Sequence, residues 1–597
     1  MIDISIFNPD YLKMKVPQIF DIARSTESIE ELRNKIYSYT LKKEYLTFDD
    51  YGSFAEGSII RVRDEAHILY RLLMPRSEQK ANFSVLQTIM DIAKGKPRPD
   101  LTPAFYAEIL YLFLGLEGRG PGRKLADFHL IPIIDKGRQT AIQRSRQLDE
   151  LAMEVQIRSD KFISGLEKES IIRRGARREK ILKSLNADMV NWDDWHWHVR
   201  NIYRSADKIS LTTSISKTLK KSVENAKKNK IPFGITPYYL SLMDDNPDDG
   251  RDRSIRAQVL PPESYIERIS NQDRTDGSMD FMLESDTSPI DLITRRYPSI
   301  CIFKPFNTCP QICVYCQRNW EIEDAMQPGA MATKRDMEKA IEYIRQHKGI
   351  HEVLVTGGDP LAMGDNKIDY ILKNIADIPT IERIRIGSRT LVTLPMRITD
   401  SLVSILAKYR IPGKRQVAVV THVQHPYEVT PDMMSAVEKL RAKGIPVFNQ
   451  LVYTFYVSRR FEAAYLRRLL SLIGIEPYYT FNCKGKDETI DYRVPIARLL
   501  QEQNEESRLL PGLSRTDEAV FNVPGLGKNY LRARQHRDII SILPTGNRVY
   551  EFHPWEKNIS NVIKTYITED MPILDYLIKL DALGEDMHEY ETIWYYY

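Results

Sequence analysis

Between residues 299 and 483, six short runs rich in β-branched and aromatic residues recur: "SICIFKPF" (299–306), "HEVLVTGG" (351–358), "IERIRIGSR" (381–389), "RQVAVVTHV" (415–423), "IPVFNQLVY" (445–453) and "EPYYTFNC" (476–483). The segments between them, such as "KRDMEKAIEYIRQH" and "DMMSAVEKLRAKG", have helical periodicity and strong helix formers. Alternation of this kind predicts parallel strands, because each helix returns the chain to the starting edge of the sheet. The expected class is α/β, with the sheet either doubly wound or curled into a partial (β/α)6 barrel. Polar and special residues cluster where the runs end. Cysteines follow the first run, Gly357, Gly358 and Asp359 the second, and Ser388 and Arg389 the third. His422 ends the fourth, Gln450 lies in the fifth, and Asn482, Cys483 and Lys484 close the sixth. Barrel enzymes assemble their sites from such strand ends. The partial barrel is favoured.

A chain of 597 residues exceeds one ordinary domain. Residues 1–180 read as a helical N-terminal domain, with "TPAFYAEILYLFLGL" (102–116) as a buried helix and Thr26 as the cap of the helix in "TESIEELRNKIYSYTLKKEYL". Residues 181–290 are mixed, and in "NWDDWHWHVR" Trp192 and Trp195 are spaced to share a helix face as an anchor to the next domain. The barrel is assigned to 291–490 and a C-terminal segment with its tail to 491–597. A net charge of +4, from 85 basic and 81 acidic residues, gives no sign of a nucleic-acid surface. The basic runs at 173–180 and 217–230 read as solvated helix faces. No apolar run is long enough for a membrane span, and the N-terminus lacks the pattern of a secretory signal. The expected location is the cytoplasm, with no membrane partner.

Three of the five cysteines, Cys309, Cys313 and Cys316, lie in "FNTCPQICVYCQRNW" with C-x3-C-x2-C spacing. A structural zinc closes its shell with a fourth Cys or His. No His lies in the thirty residues after Cys316. A [4Fe–4S] cluster with one open iron fits three thiolates better, the alternatives being a three-Cys zinc site with a remote ligand or unligated cysteines. C-x3-C-x2-C after the first strand of a partial barrel resembles the radical S-adenosylmethionine (SAM) enzymes, in which SAM chelates the open iron. "TGGDPL" (356–361) resembles their glycine-rich SAM segment, which makes Gly357, Gly358 and Asp359, with Ser388, His422 and Gln450, the SAM-binding candidates.

The resemblance is narrower still. "ITPYYLSLMD" (235–244), "TRRYPS" (294–299), "RIGSRT" (385–390), "LPMRIT" (394–399), "THVQHPYE" (421–428) and "FNQLVY" (448–453) all resemble the lysine 2,3-aminomutase family, over roughly 185–555. That resemblance implies a radical SAM partial barrel with a helical N-terminal extension and a C-terminal segment carrying a pyridoxal phosphate (PLP) lysine. In "NVPGLGKNY" (522–530) the matching lysine is Lys528, in a loop whose Gly525 and Gly527 give it freedom. Arg296 and Tyr297 match a PLP-binding pair, while Ile300 stands where a second arginine is expected. Arg318 matches the arginine that holds the substrate α-carboxylate. Lysine-using members grip the distant ammonium with two aspartates, and Lys484 and Asn522 occupy those places here. A lysine there repels a second ammonium but attracts a carboxylate, and the amide adds a donor. The pattern resembles glutamate 2,3-aminomutase.

The implied activity is an isomerase moving the α-amino group of a free amino acid, L-glutamate first, to the β carbon. It needs a [4Fe–4S] cluster, SAM, PLP and a one-electron reductant. Structural zinc is not expected, since only Cys301 and Cys483 lie outside the triad. A homo-oligomer is a family-level expectation. The rival readings are a mutase for lysine or another amino acid, a radical SAM enzyme modifying a peptide held by the N-terminal domain, and a catalytically idle binding protein.

Overall fold

The computed structural model describes residues 2–49, 56–120, 137–247, 250–271, 279–318, 321–483, 486–533, 537–553 and 565–597. Its centre is a nine-stranded sheet in sequential order: β1 (Ile293–Thr294), β2 (Ile300–Phe306), β3 (Glu352–Gly357), β4 (Arg383–Gly387), β5 (Gln416–Thr421), β6 (Val447–Tyr453), β7 (Ile475–Asn482), β8 (Glu518–Val523) and β9 (Gly527–Tyr530). β2 to β8 pair in parallel, while β1 and β9 close the two edges antiparallel. The six runs read from sequence are β2 to β7. The seventh parallel strand, β8, was not foreseen, because the polar stretch 501–517 separates it from the repeat.

Burial explains the composition of these strands. β5 is buried along nearly its whole length, on both faces, and is accordingly almost continuous in valine and alanine. β2 alternates, with Cys301 and Phe303 fully buried on one face and Ile300, Ile302 and Lys304 half-buried on the other. Cys301 therefore points away from the face that Ile302 shares.

The N-terminal region is helical where described, as expected, and the helix Pro103–Leu116 is buried almost all round. The N-terminal region packs, chiefly through the helices Glu56–Leu72 and Pro75–Ala81, on a second, three-stranded sheet formed by β10 (Arg537–Ile542), β11 (Arg548–Phe552) and β12 (Tyr566–Glu569). Arg548 Nε donates to Glu108 at 2.9 Å, and the Thr102 amide donates to the Pro544 carbonyl at 3.0 Å. Arg76 forks onto Glu551 with two bonds of 2.8 Å. Tyr111 stacks on Trp594 with centroids 4.7 Å apart. The second sheet meets the central one where Phe521 stacks on Phe552 at 4.8 Å. No helix of the described residues is long and apolar enough to cross a membrane.

Two local expectations are corrected. The tryptophan segment is two short helices, Met189–Asp193 and Trp195–Arg200, broken at Asp194, whose side chain caps the second. The break puts Trp192 and Trp197 together in the core with centroids 6.2 Å apart, while Trp195 lies under the Arg397 guanidinium. The helix Ile29–Asp49 is capped by Ser28, whose hydroxyl accepts from the Glu31 amide at 3.2 Å. Thr26 instead donates back to the Ala23 carbonyl.

Candidate active site

Every parallel strand contributes to one cavity of about 330 Å³. Ile302, Leu354, Arg385, Val420, Gln450, Asn482 and Asn522 line it from β2 to β8 in turn. A flat sheet could not present all seven to one space. The sheet is therefore curled, and the unpaired β1 and β9 edges leave it open on one side. Cys309, Cys313 and Cys316 share this wall with Gly357, Gly358, Asp359, Ser388 and His422.

Backbone contacts tie the cysteine loop to the end of β3. The Gly358 amide donates to the Phe306 carbonyl at 2.8 Å, and the Asp359 amide to the Thr308 carbonyl at 2.9 Å. A Cβ on Gly358 would stand 2.0 Å from the Thr308 oxygen, so only glycine allows this approach. Asp359 accepts from Ser388 Oγ at 2.6 Å and from the Arg389 amide at 2.9 Å, which fastens β4 to β3.

Burial, then the charges of Asp359 and the other two cysteines, pushes the Cys309 thiol well up. Burial, then Cys313, raises the Cys316 thiol. Two such sulfurs in one wall need cationic charge to ionise, which iron would provide. Among the described residues no three His, Cys, Asp or Glu side chains draw close enough to hold a single metal ion. The three thiolates of a four-iron cluster sit on separate irons and stand wider apart. The donor set fits the cluster.

Arg389, which sequence reasoning did not single out as a site residue, supports this loop. Its Nη1 donates to Cys313 Sγ at 2.7 Å and its Nε to the His422 carbonyl at 3.2 Å, while Glu428 holds Nη2 at 2.7 Å. Burial, then the Arg389 charge, pushes the His422 imidazole down to about 4, so it is neutral at neutral pH.

Lys528 lies in β9 directly opposite Asn522 in β8. The expected loop is a tight hairpin, with positive φ at Gly525 (+66°) and Gly527 (+105°) making the turn. Facing residues of an antiparallel pair point to the same side of the sheet, so Lys528 rises on the face from which Asn522 lines the cavity. Its Nζ donates to Tyr297 Oη at 2.6 Å. Arg296 Nη2 donates to the Met282 carbonyl at 3.2 Å. The lysine and the Arg296–Tyr297 pair are thus brought together. A primary amine beside a phenol, with an arginine on the neighbouring residue, suits a pyridoxal aldehyde and its phosphate.

Arg318 lines the cavity with its Nη1 2.6 Å from Glu284 Oε2, and Nη2 also donates to Glu321. Glu284, another residue that sequence reading passed over, is 3.2 Å from Lys304 Nζ as well. Burial pushes its carboxyl up, but Arg318, Lys304 and Arg296 outweigh that and hold it below the usual range. Lys484 lies outside the described residues. The cation placed in the wall beside Asn482 and Cys483 is Lys486, buried and paired with Glu488.

The Radical SAM superfamily profile matches residues 303–464, which run from β2 into the helix after β6. An uncharacterized KamA family protein of Methanocaldococcus jannaschii is 39% identical over 624 aligned positions, covering 100% of this chain and 97% of its own. The glutamate 2,3-aminomutase of Clostridioides difficile is 35% identical, over 58% of this chain and 79% of that one. The L-lysine 2,3-aminomutase of Methanococcus maripaludis is 33% identical, over 54% and 73%. With its three-cysteine cavity at the strand ends and a relative matched along its whole length, the chain belongs to the KamA family of radical SAM enzymes, the lysine 2,3-aminomutase family, which uses a [4Fe–4S] cluster, SAM and PLP.

Proposed function

We propose that this enzyme is a 2,3-aminomutase acting on free L-glutamate, which it converts to β-glutamate. The observation that carries the substrate is the distribution of charge around the cavity. Among the described residues lining it, the carboxylates are Glu284 and Asp359, and both are already engaged. Arg318 and Lys486 bring cations to the wall, and Asn482 and Asn522 bring amides. A second ammonium would meet no unpaired carboxylate among the described lining residues, whereas a side-chain carboxylate meets a lysine and amide donors. A mismatch of this kind discriminates by several kcal/mol.

Cys309, Cys313 and Cys316 would hold the cluster, with Gly357, Gly358, Ser388, His422 and Gln450 around SAM and Asp359 fixing the loop. Lys528, Tyr297 and Arg296 would hold PLP. The cluster and SAM supply a carbon radical able to take hydrogen from an unactivated carbon, and PLP carries the migrating nitrogen. The protein's own residues position and enclose. Arg318 fixes the α-carboxylate, and Lys486 and Asn522 act at the far end. Neutral His422 adds no charge to the cavity wall, and the curled sheet shields the cavity on all but its open side. Both glutamate and lysine aminomutases are among the relatives, so the substrate rests on the cavity.

The test is an anaerobic assay of cluster-reconstituted enzyme with SAM, PLP and dithionite. Glutamate, aspartate, lysine and alanine are offered separately and the β-amino products resolved by mass spectrometry. β-Glutamate is expected. β-Lysine overturns the substrate assignment, and SAM cleavage without any β-amino acid overturns the mutase in favour of a peptide substrate.

A further inference from the structure

Three cationic side chains from three segments converge on one carboxylate of the cavity wall, that of Glu284. Glu284 precedes β1, Arg296 lies between β1 and β2, Lys304 is in β2, and Arg318 follows the cysteine loop. Arg318 Nη1 at 2.6 Å and Lys304 Nζ at 3.2 Å share the same oxygen, Oε2, while Arg296 Nη2 is 3.8 Å from Oε1. The side chains of Glu284 and Arg318 are each 11% exposed, that of Arg296 13% and that of Lys304 16%. Arg318 also bonds Glu321, yet its Nε is buried without a hydrogen-bond partner among the described residues. Three cations therefore face two carboxylates, with donor capacity to spare.

The Glu284 backbone is held independently of its carboxylate. Asp280 accepts from the Glu284 amide and from the Ser285 amide, both at 2.9 Å, which holds the segment while the side chain turns about its own torsions. The carboxylate lines the cavity and occupies the guanidinium best placed for an entering anion. A second anion cannot join it at Oε2 without repulsion, so ligand entry and Glu284 departure are linked. Lys304 reaches this point by strand alternation, since it shares the face of Ile302, which lines the same cavity.

We propose that Glu284 is a place-holder for an anionic ligand group, a carboxylate or a phosphate, and that Lys304 is the binding residue which completes this anion site with Arg318 and Arg296. The proposal rests on the aminomutase reading only for which ligand brings the anion: the substrate through its carboxylate, or PLP through its phosphate. Lys304 then sets affinity, and Glu284 sets a threshold that neutral ligands of similar shape do not overcome.

The two residues predict effects of opposite sign. In cluster-loaded enzyme, calorimetric binding of glutarate, which has two carboxylates and no amine, is measured with PLP absent. PLP and pyridoxal are compared by their imine absorbance. Lys304→Gln should weaken one of these anions at least tenfold while Lys304→Arg restores it, and Glu284→Gln should tighten the same anion severalfold. Weakened glutarate assigns the site to the substrate carboxylate, and a lost preference for PLP over pyridoxal assigns it to the phosphate. If both substitutions weaken binding, or neither changes it, the group is structural and the proposal falls. Should Glu284→Gln fail to fold, the Lys304→Gln and Lys304→Arg pair decides alone. Because these measurements read binding, opposite signs without any β-glutamate would sink the aminomutase reading and leave the anion site standing.

Discussion

Lys528 shows how far a single residue can be read from sequence. "NVPGLGKNY" points to it through its glycines, but the hydrogen bond to Tyr297, 231 positions away, belongs to the tertiary structure. Lys528→Ala should abolish the imine absorbance with PLP, and borohydride should no longer fix the cofactor to the 522–530 peptide. Attachment elsewhere in that variant would move the PLP lysine. Glu284 was not legible because nothing in its local sequence marks it, and Arg389 was legible only as a polar strand end, since the meaning of both comes from the partners the fold brings. His198 gives the clearest dependence on pH. Its imidazole lies edge-on to Trp192 and Trp197, with Nε2 on the Trp192 carbonyl at 2.7 Å, and burial pushes it down to about 4. The folded enzyme keeps it neutral, whereas the unfolded chain protonates near the ordinary value. Its contribution is intact above the unfolded pKa and lost as pH falls from there towards 4, about 2 kcal/mol by pH 5. His198→Gln should shrink the drop in urea-measured stability between pH 7 and 5 by that amount, and an unchanged drop would refute it.

The elements divide by the strength of their local signal. β2 to β7 were legible because buried parallel strands demand β-branched runs and the connecting helices keep their period. β8 was hidden behind a stretch that looks solvated, yet Arg467, Glu502 and Asp517 form a buried ion network there, with Arg467 Nη2 3.0 Å from Asp517. The tryptophan segment failed because one cap, Asp194, outweighs helical spacing. Gly358 is where two elements meet most tightly, so Gly358→Ala tests the junction. The added methyl must push the Thr308 backbone, and Cys309 with it. The variant should fold but hold well under half the iron of the parent after reconstitution. Full iron content would show that the cysteine loop moves freely of β3.

At the scale of the molecule, the helices before residue 120 and the strands after 537 bury one another, although they lie at opposite ends of the sequence. No local pattern announces such a pairing. Arg548 joins them, buried, with Glu108 and the carbonyls of Trp594 and Tyr596 as acceptors. Arg548→Met strands Glu108 and should cost about 3–5 kcal/mol of stability by urea denaturation, while Glu108→Gln, which keeps an acceptor, costs less. Equal and small losses would mean that the two ends are not energetically joined. The barrel between them carries the central claim, that nitrogen moves between adjacent carbons of a free amino acid held in the cavity. L-Glutamate labelled with ¹⁵N at the amine and ¹³C at C3, followed by ¹³C NMR in the anaerobic enzyme with SAM and PLP, tests it directly. The account predicts that a one-bond ¹³C–¹⁵N coupling appears at C3 as the parent signal falls. SAM consumption with C3 never becoming coupled to nitrogen would contradict it.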